Sequence, residues 1–262
     1  MRSSCSTTML ALIAGAGASG VAVATPVQIR VTIQNLAPTN SVSFAPLRVG
    51  FNNGTFDAFN AGQAATAPII SIAEGGGGQD WFPAFAAADP TATVGTVVGS
   101  PAGPLQPGVT ASTDFTVDPA VNRFFTFGSM VVPSNDHFIG NDNPMQYMLF
   151  NAAGQLNITT ISQFGRDVWD NGSELEIPAN AAFLVGGVNA QRVPQNGVVN
   201  FNFALLDTFN GLTTAAGYTF NRQFGANDEI YRISFALVPA PAAAALLGIG
   251  GLTLARRRRT TN

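Results

Sequence analysis

Phe124-Phe125-Thr126-Phe127-Gly128-Ser129-Met130-Val131-Val132-Pro133 reads as a buried strand, and Ser134-Asn135-Asp136-His137-Phe138-Ile139-Gly140-Asn141-Asp142 as the polar loop it delivers. The first half is aromatic and β-branched, has no helical spacing of apolar positions, and is bounded by Pro133. The second half carries Asp136 and Asp142 off the end of that strand. Strands that place carboxylates in a loop at a sheet edge are a common way to build an oxygen-rich cation site. A second acidic loop follows, Trp169-Asp170-Asn171-Gly172-Ser173-Glu174. The two loops read as one site. The simpler alternative is that the acids only solvate the loops.

The rest of the chain supports a fold of short strands. Residues 27–33 alternate apolar and polar with period two, the mark of a half-buried antiparallel strand. Further strands are expected at 47–51, 112–117, 123–132, 145–150, 182–185, 198–206 and 230–238, with the sixth-decade turn Asn52-Asn53-Gly54 and the hairpin Asn151-Ala152-Ala153-Gly154 between some of them. Residues 69–73 and 81–88 suit short helical turns across one end of the sheets. Residues 90–110, rich in Pro and Gly, suit a long loop. Together these imply an all-β protein, a single antiparallel β-sandwich over residues 25–237.

Composition narrows the partners. Of 262 residues, 46% are hydrophobic and 10% charged, so a large core must be covered by a mostly neutral surface. All 12 basic residues are arginine, and five of them, Arg2 and Arg256 to Arg259, lie near the ends. The seven arginines between them face 15 acids, leaving a body of net charge −8. Such a body is a poor match for nucleic acid, whose phosphates need clustered cations. The one cysteine, Cys5, precedes the apolar leader, so a processed chain has no disulfide and no thiol nucleophile.

Residues 1–24 have the form of a secretory signal: Arg2, an apolar run from Met9, and Ala22-Val23-Ala24 at the cleavage position. An N-terminal anchor is the alternative, though the Gly/Ala-rich run is short for a span. At the other end, Val238-Pro239-Ala240-Pro241 precedes an apolar segment, 242–255, and four arginines. A core helix or a basic arm for nucleic acid is a poorer account of that ending. Residues 238–262 resemble the PEP-CTERM sorting tails of Gram-negative and related bacteria, with Pro239-Ala240-Pro241 in the tripeptide position. That resemblance implies transient membrane association, an exosortase-type processing protease as partner, and a secreted or cell-surface product.

The chemistry open to the body is limited. His137 is the only histidine, no Gly-x-Ser-x-Gly elbow is present, and a histidine zinc site cannot be assembled. His137 itself reads as structural or peripheral. Asp136, Asp170 and Glu174 supply three carboxylates for calcium, which takes six to eight oxygens. Gly172 lets the chain fold Asp170 and Glu174 toward one point. A carbohydrate-active hydrolase using Asp170 and Glu174 as its acid and base is a second reading. A metal-free structural envelope or biofilm component is a third.

Ser129-Met130-Val131-Val132-Pro133-Ser134-Asn135-Asp136 with Gly140, and then Trp169-Asp170-Asn171-Gly172-Ser173-Glu174, resemble the two motifs of the spondin domain of F-spondin and mindin. The similarity spans about residues 26–237, including the opening strand and Val49-Gly50-Phe51. It implies a β-sandwich binding calcium at one end through Asp136, Asp170 and Glu174. It also implies a non-enzymatic adhesion module with a surface, matrix or polysaccharide ligand. Glu174 stands where the family has Asp, His137 where it has Trp, and the family's cysteines are missing.

Overall fold

The structure is a computed structural model and describes residues 25–239. The expected leader and nearly all of the expected tail lie outside the described residues. Among the described residues eleven strands form: β1 (Val27–Asn35), β2 (Ser43–Phe44), β3 (Leu47–Asn52), β4 (Thr93–Val97), β5 (Thr110–Val117), β6 (Phe124–Val132), β7 (His137–Gly140), β8 (Thr160–Phe164), β9 (Trp169–Asp170), β10 (Asn200–Phe201) and β11 (Glu229–Val238). Two short helices, α1 (Ala67–Ala73) and α2 (Trp81–Ala88), interrupt them. One sheet runs β5-β1-β11-β8. The other runs β10-β9-β7-β6-β3-β4, with β2 paired to β6. All pairings are antiparallel, so the protein is an all-β sandwich. Among the described residues, no helix is long and apolar enough to cross a membrane.

Side-chain alternation builds the interior. Ile29, Val31 and Ile33 of β1 point inward and are buried, while Arg30 faces water and pairs with Asp114 on β5. From the opposing sheet, Phe51, Phe125 and Phe127 enter the same core. Phe125 meets Phe235 edge-on across the sandwich, with ring centroids 4.8 Å apart. Each such apolar side chain stabilises the fold by about 1.5–3 kcal/mol relative to exposure. Aromatic pairing adds a smaller increment.

A second core lies on the outer face of the larger sheet, where α1 and α2 pack. The helices therefore cover a face, not an end as the apolar pattern alone suggested. Gly50 and Gly128 explain the placement. A Cβ on Gly50 would stand 2.2 Å from the Phe85 ring, and one on Gly128 2.9 Å from Ile72. The missing side chains leave room for Ile72, Trp81 and Phe85 to reach the strands.

Several local expectations need correction. The supposed loop 90–110 contains β4, whose Thr93-Val94-Gly95-Thr96-Val97 is β-branched enough to pair with β3 despite its Pro/Gly flanks. Residues 145–150 form no strand. Leu149 and Phe150 fill the core while both donate their backbone N–H to the Arg123 carbonyl, so no ladder can grow. Residues 182–185 make only isolated bridges because Phe183 takes a φ of 66°, which breaks the extended chain. The strand expected over 198–206 stops at Phe201. A 3₁₀ helix, Phe203–Phe209, follows and sets Phe203, Leu206 and Phe209 three apart on one side.

Candidate functional site

The β6–β7 turn is closed by one hydroxyl. Ser134 Oγ donates to the Val131 carbonyl (2.5 Å) and accepts from the His137 N–H (3.1 Å). This holds Asn135 and Asp136 at the tip, where both are fully buried. Asp136 Oδ2 then accepts three hydrogen bonds from the second acidic loop: Ser173 N (2.8 Å), Glu174 N (2.9 Å) and Ser173 Oγ (3.2 Å). The two acidic loops are thus tied together at Asp136.

The second loop is shaped by its own carboxylate. Asp170 Oδ1 accepts the Gly172 N–H at 2.8 Å, turning the chain back on itself. Gly172 sits at a φ of 65°, and a Cβ there would lie 2.6 Å from the backbone of Val198. Only glycine meets both demands. Beyond the turn, Asn135 ties the loops together. Its amide donates to Glu174 Oε1 (3.0 Å) and its carbonyl accepts from Ile177 N (3.1 Å).

Of the two readings of His137, structural or peripheral, the peripheral one fails, because the side chain is fully buried. Its Nε2 lies 2.9 Å from the Asn202 carbonyl, so Nε2 carries a proton and donates. Its Nδ1 lies 2.7 Å from Glu176 Oε1, a charge contact outside hydrogen-bond geometry, and 4.0 Å from Asp136 Oδ1. Ligand atoms of Asp136, His137 and Glu176 all fall within 4.8 Å of one another. Asp170 stands opposite His137 across the β7–β9 pairing.

The tightest group of ligand atoms is therefore Asp136, His137 and Glu176, whereas the sequence pointed to Asp136, Asp170 and Glu174. Asp170 borders the cluster and its field acts on both Asp136 and His137. Glu174 contributes its backbone N–H to Asp136, while its side chain turns to Asn135 and lies 3.9 Å from Arg192 Nε. The sequence carries one signal for Glu176: Glu174-Leu175-Glu176 spaces two acids to the same side of an extended chain. Asp142 lies elsewhere, in a separate cleft.

Electrostatics mark the cluster as short of positive charge. Burial pushes the Asp136 carboxyl up to about 7, and Glu176 and Asp170 add to it, against the Glu174 N–H and His137. Burial likewise raises Glu174 to about 7, opposed by the Asn135 amide and Arg192. Burial works against charge on His137, yet the contact with Glu176 and the fields of Asp136 and Asp170 outweigh it and hold the imidazole at about 9. Of the buried atoms without a hydrogen-bond partner, His137 Nδ1 and Glu176 Oε1 meet each other as an ion pair, which leaves the oxygens Asp136 Oδ1, Asn171 Oδ1 and Glu174 Oε2 unsatisfied. Buried oxygens are seldom left so, since each costs about 1–3 kcal/mol. A hard cation would satisfy such oxygens, and the donor set fits one.

No protein-family model matches the chain, and no curated protein matches it.

Proposed function

We propose that the protein is an exported, non-catalytic binding module of the spondin type, with a calcium site that fixes the loops at one end of its sandwich. The observation that carries this reading is the group of unpartnered, buried oxygens around Asp136. Calcium is the favoured ion because it takes many oxygens in a flexible cage and tolerates carboxylates and amides alike. Asp136, Asp170 and Glu174 are the principal donors of this reading, with Glu176 and Asn171 beside them. When bound, the ion supplies the positive charge that the cluster lacks. The leader-like and tail-like segments support export to the cell surface, with a matrix, surface or polysaccharide ligand.

A hydrolase using Asp170 and Glu174 has less support. The two are 2% and 1% exposed, which gives a polysaccharide no access, and Asp170 already accepts the Gly172 N–H. The deciding experiment is thermal unfolding of the protein in excess chelator, in magnesium and in calcium. A calcium-specific rise of the midpoint is expected. A midpoint indifferent to all three would remove the metal from this reading.

A further inference from the structure

We propose that the cleft between β8 and the β9–β10 edge is a binding site for a neutral saccharide chain. The cleft encloses about 440 Å³, within the range of small-ligand sites. It opens between the edge strand of each sheet, and the acids of the cation cluster do not line it.

Its floor is aromatic. Phe201 is 55% exposed, yet one of its faces stacks on Trp169 with centroids 3.6 Å apart and planes 24° apart. Trp169 is itself immobilised: its Nε1–H donates to the Gly140 carbonyl (3.1 Å) and its ring packs against Phe59 and Phe138. A large exposed aromatic held on one side presents a rigid π-face on the other. The C–H face of a sugar ring, slightly positive, suits the negative face of such a ring.

The rim supplies what hydroxyls need. Asp142 makes neither a hydrogen bond nor an ion pair among the described residues, although it lines the cleft. Asn143, Gln146 and Asp167 also line the cleft. Asn143 Oδ1 accepts from Met145 N (2.9 Å), Gln146 Nε2 donates to Tyr147 Oη (3.1 Å) and Asp167 Oδ2 accepts from Phe164 N (2.9 Å). This leaves the Asn143 amide N–H groups, the Gln146 carbonyl and Asp167 Oδ1 for a ligand. A carboxylate can accept from two neighbouring hydroxyls at once. Charge then selects within the sugars. Arg166 is the single cation of the lining, and it is engaged with Asn227 (2.6 Å) and the Phe164 ring, against the two acids Asp142 and Asp167. Phosphorylated or acidic ligands are disfavoured by that balance, and an apolar peptide would leave the rim unpaired.

The cleft is coupled to the acidic loops through β9. Trp169 lines the cleft while Asp170 borders the cation cluster, and β10 pairs with both, Phe201 to Trp169 and Asn200 to Asp170. This coupling rests on the calcium reading; the cleft itself does not.

The test is affinity electrophoresis of the protein through gels containing laminarin, hydroxyethylcellulose, xylan or galactomannan, with alginate as an acidic control. Retardation by at least one neutral polymer is expected, weakened about two- to tenfold in Phe201→Ala, where a stacking face is lost. Asp142→Asn, at a half-exposed position, serves as a second variant and should also weaken it. No retardation by any neutral polymer overturns the proposal, as does retardation by alginate alone or retardation unchanged in both variants. Repeating the gels with chelator separates the two readings. Retention that survives chelator upholds the cleft and removes its coupling to calcium, and retention lost in chelator upholds both.

Discussion

His137 and Asp170 stand directly opposite each other where β7 pairs with β9, one position along from Phe138 opposite Trp169. Because neighbouring strand residues point to opposite faces, this short pairing separates two chemistries. The first row carries an imidazole and a carboxylate into the acidic cluster. The second carries two rings into the core beneath the helices. A strand of two residues, β9, thus connects a candidate cation site to a candidate ligand cleft.

Asp136→Asn should abolish the calcium-dependent rise of the unfolding midpoint while leaving the cation-free protein folded. The amide keeps an oxygen for the N–H groups of Ser173 and Glu174 but gives up the charge. With the wild-type carboxyl held at about 7, half its charge is already lost at neutral pH. The cation-free cost should therefore stay within about 1 kcal/mol. The wild-type gain should reach about 2.7 kcal/mol once free calcium is about a hundredfold above Kd. A full calcium response in the variant, read by calorimetry, would remove Asp136 from the site.

Stability of the cation-free protein should fall as pH climbs from 5 to 9. Asp136, Glu174 and His137 all titrate higher in the fold than their ordinary values of 3.8, 4.5 and 6.5. Between those values and about 7, 7 and 9, the folded chain holds more protons than the unfolded one, so raising pH favours unfolding. Asp114, Asp207 and Glu229 are shifted down by arginine partners, and their contribution fades only below the chosen window. Calcium requires ionised carboxylates, so its increment should grow across pH 7. Midpoints in chelator and in calcium at pH 5, 7 and 9 check both trends. A cation-free midpoint that rises with pH contradicts them.

Glu176→Gln should lower the pKa of His137. As the only histidine in the chain, His137 gives an NMR titration without assignment ambiguity. Glu176 is the partner that most strongly favours its charged form, and without it burial pulls the other way. The cation-free variant should lose about 1–3 kcal/mol, the cost of leaving one member of a buried pair without its partner. An unchanged titration curve would mean that Asp136 and Asp170 alone hold the charge.

Much of this architecture is legible from residue pattern, and the failures have identifiable physical causes. Strands β1, β3, β6 and β11 show because each has one buried face or two, written as alternation or as a continuous apolar run. Strand β8 escapes because Thr160-Ile161-Ser162-Gln163-Phe164 buries few apolar residues, and pairing with β11 determines its conformation. The 3₁₀ helix after β10 escapes because Phe203, Leu206 and Phe209 repeat every three residues, a period that neither a strand nor an α-helix presents. Within the site, Asp136 and the Asp170–Glu174 loop are visible as local acidic turns. The spacing of Glu174 and Glu176 marks two acids on one side of the chain, but the pairing of Glu176 with His137 depends on the long-range approach of β7, β9 and the chain beyond Gly172, which spacing does not encode.

Gly172→Ala tests whether the acidic turn is a strained device or a passive loop. The residue lies at a φ of 65°, and a methyl group there would meet the Val198 backbone at 2.6 Å. Backbone, unlike a side chain, cannot move aside by changing rotamer, so the turn must shift. A loss of about 1–3 kcal/mol is expected from strain in the left-handed region combined with the clash. Gly62→Ala is the control, because Gly62 has a φ of 78° with nothing within 4 Å of its Cβ position. Its loss isolates the conformational part, about 1 kcal/mol. The difference between the two variants therefore reports the contact with Val198. Since Ser173 N and Glu174 N follow the turn directly and both bind Asp136, Gly172→Ala should also weaken the calcium response, and Gly62→Ala should not. Equal losses in the two variants, with equal calcium responses, would show that the turn does not position the loop.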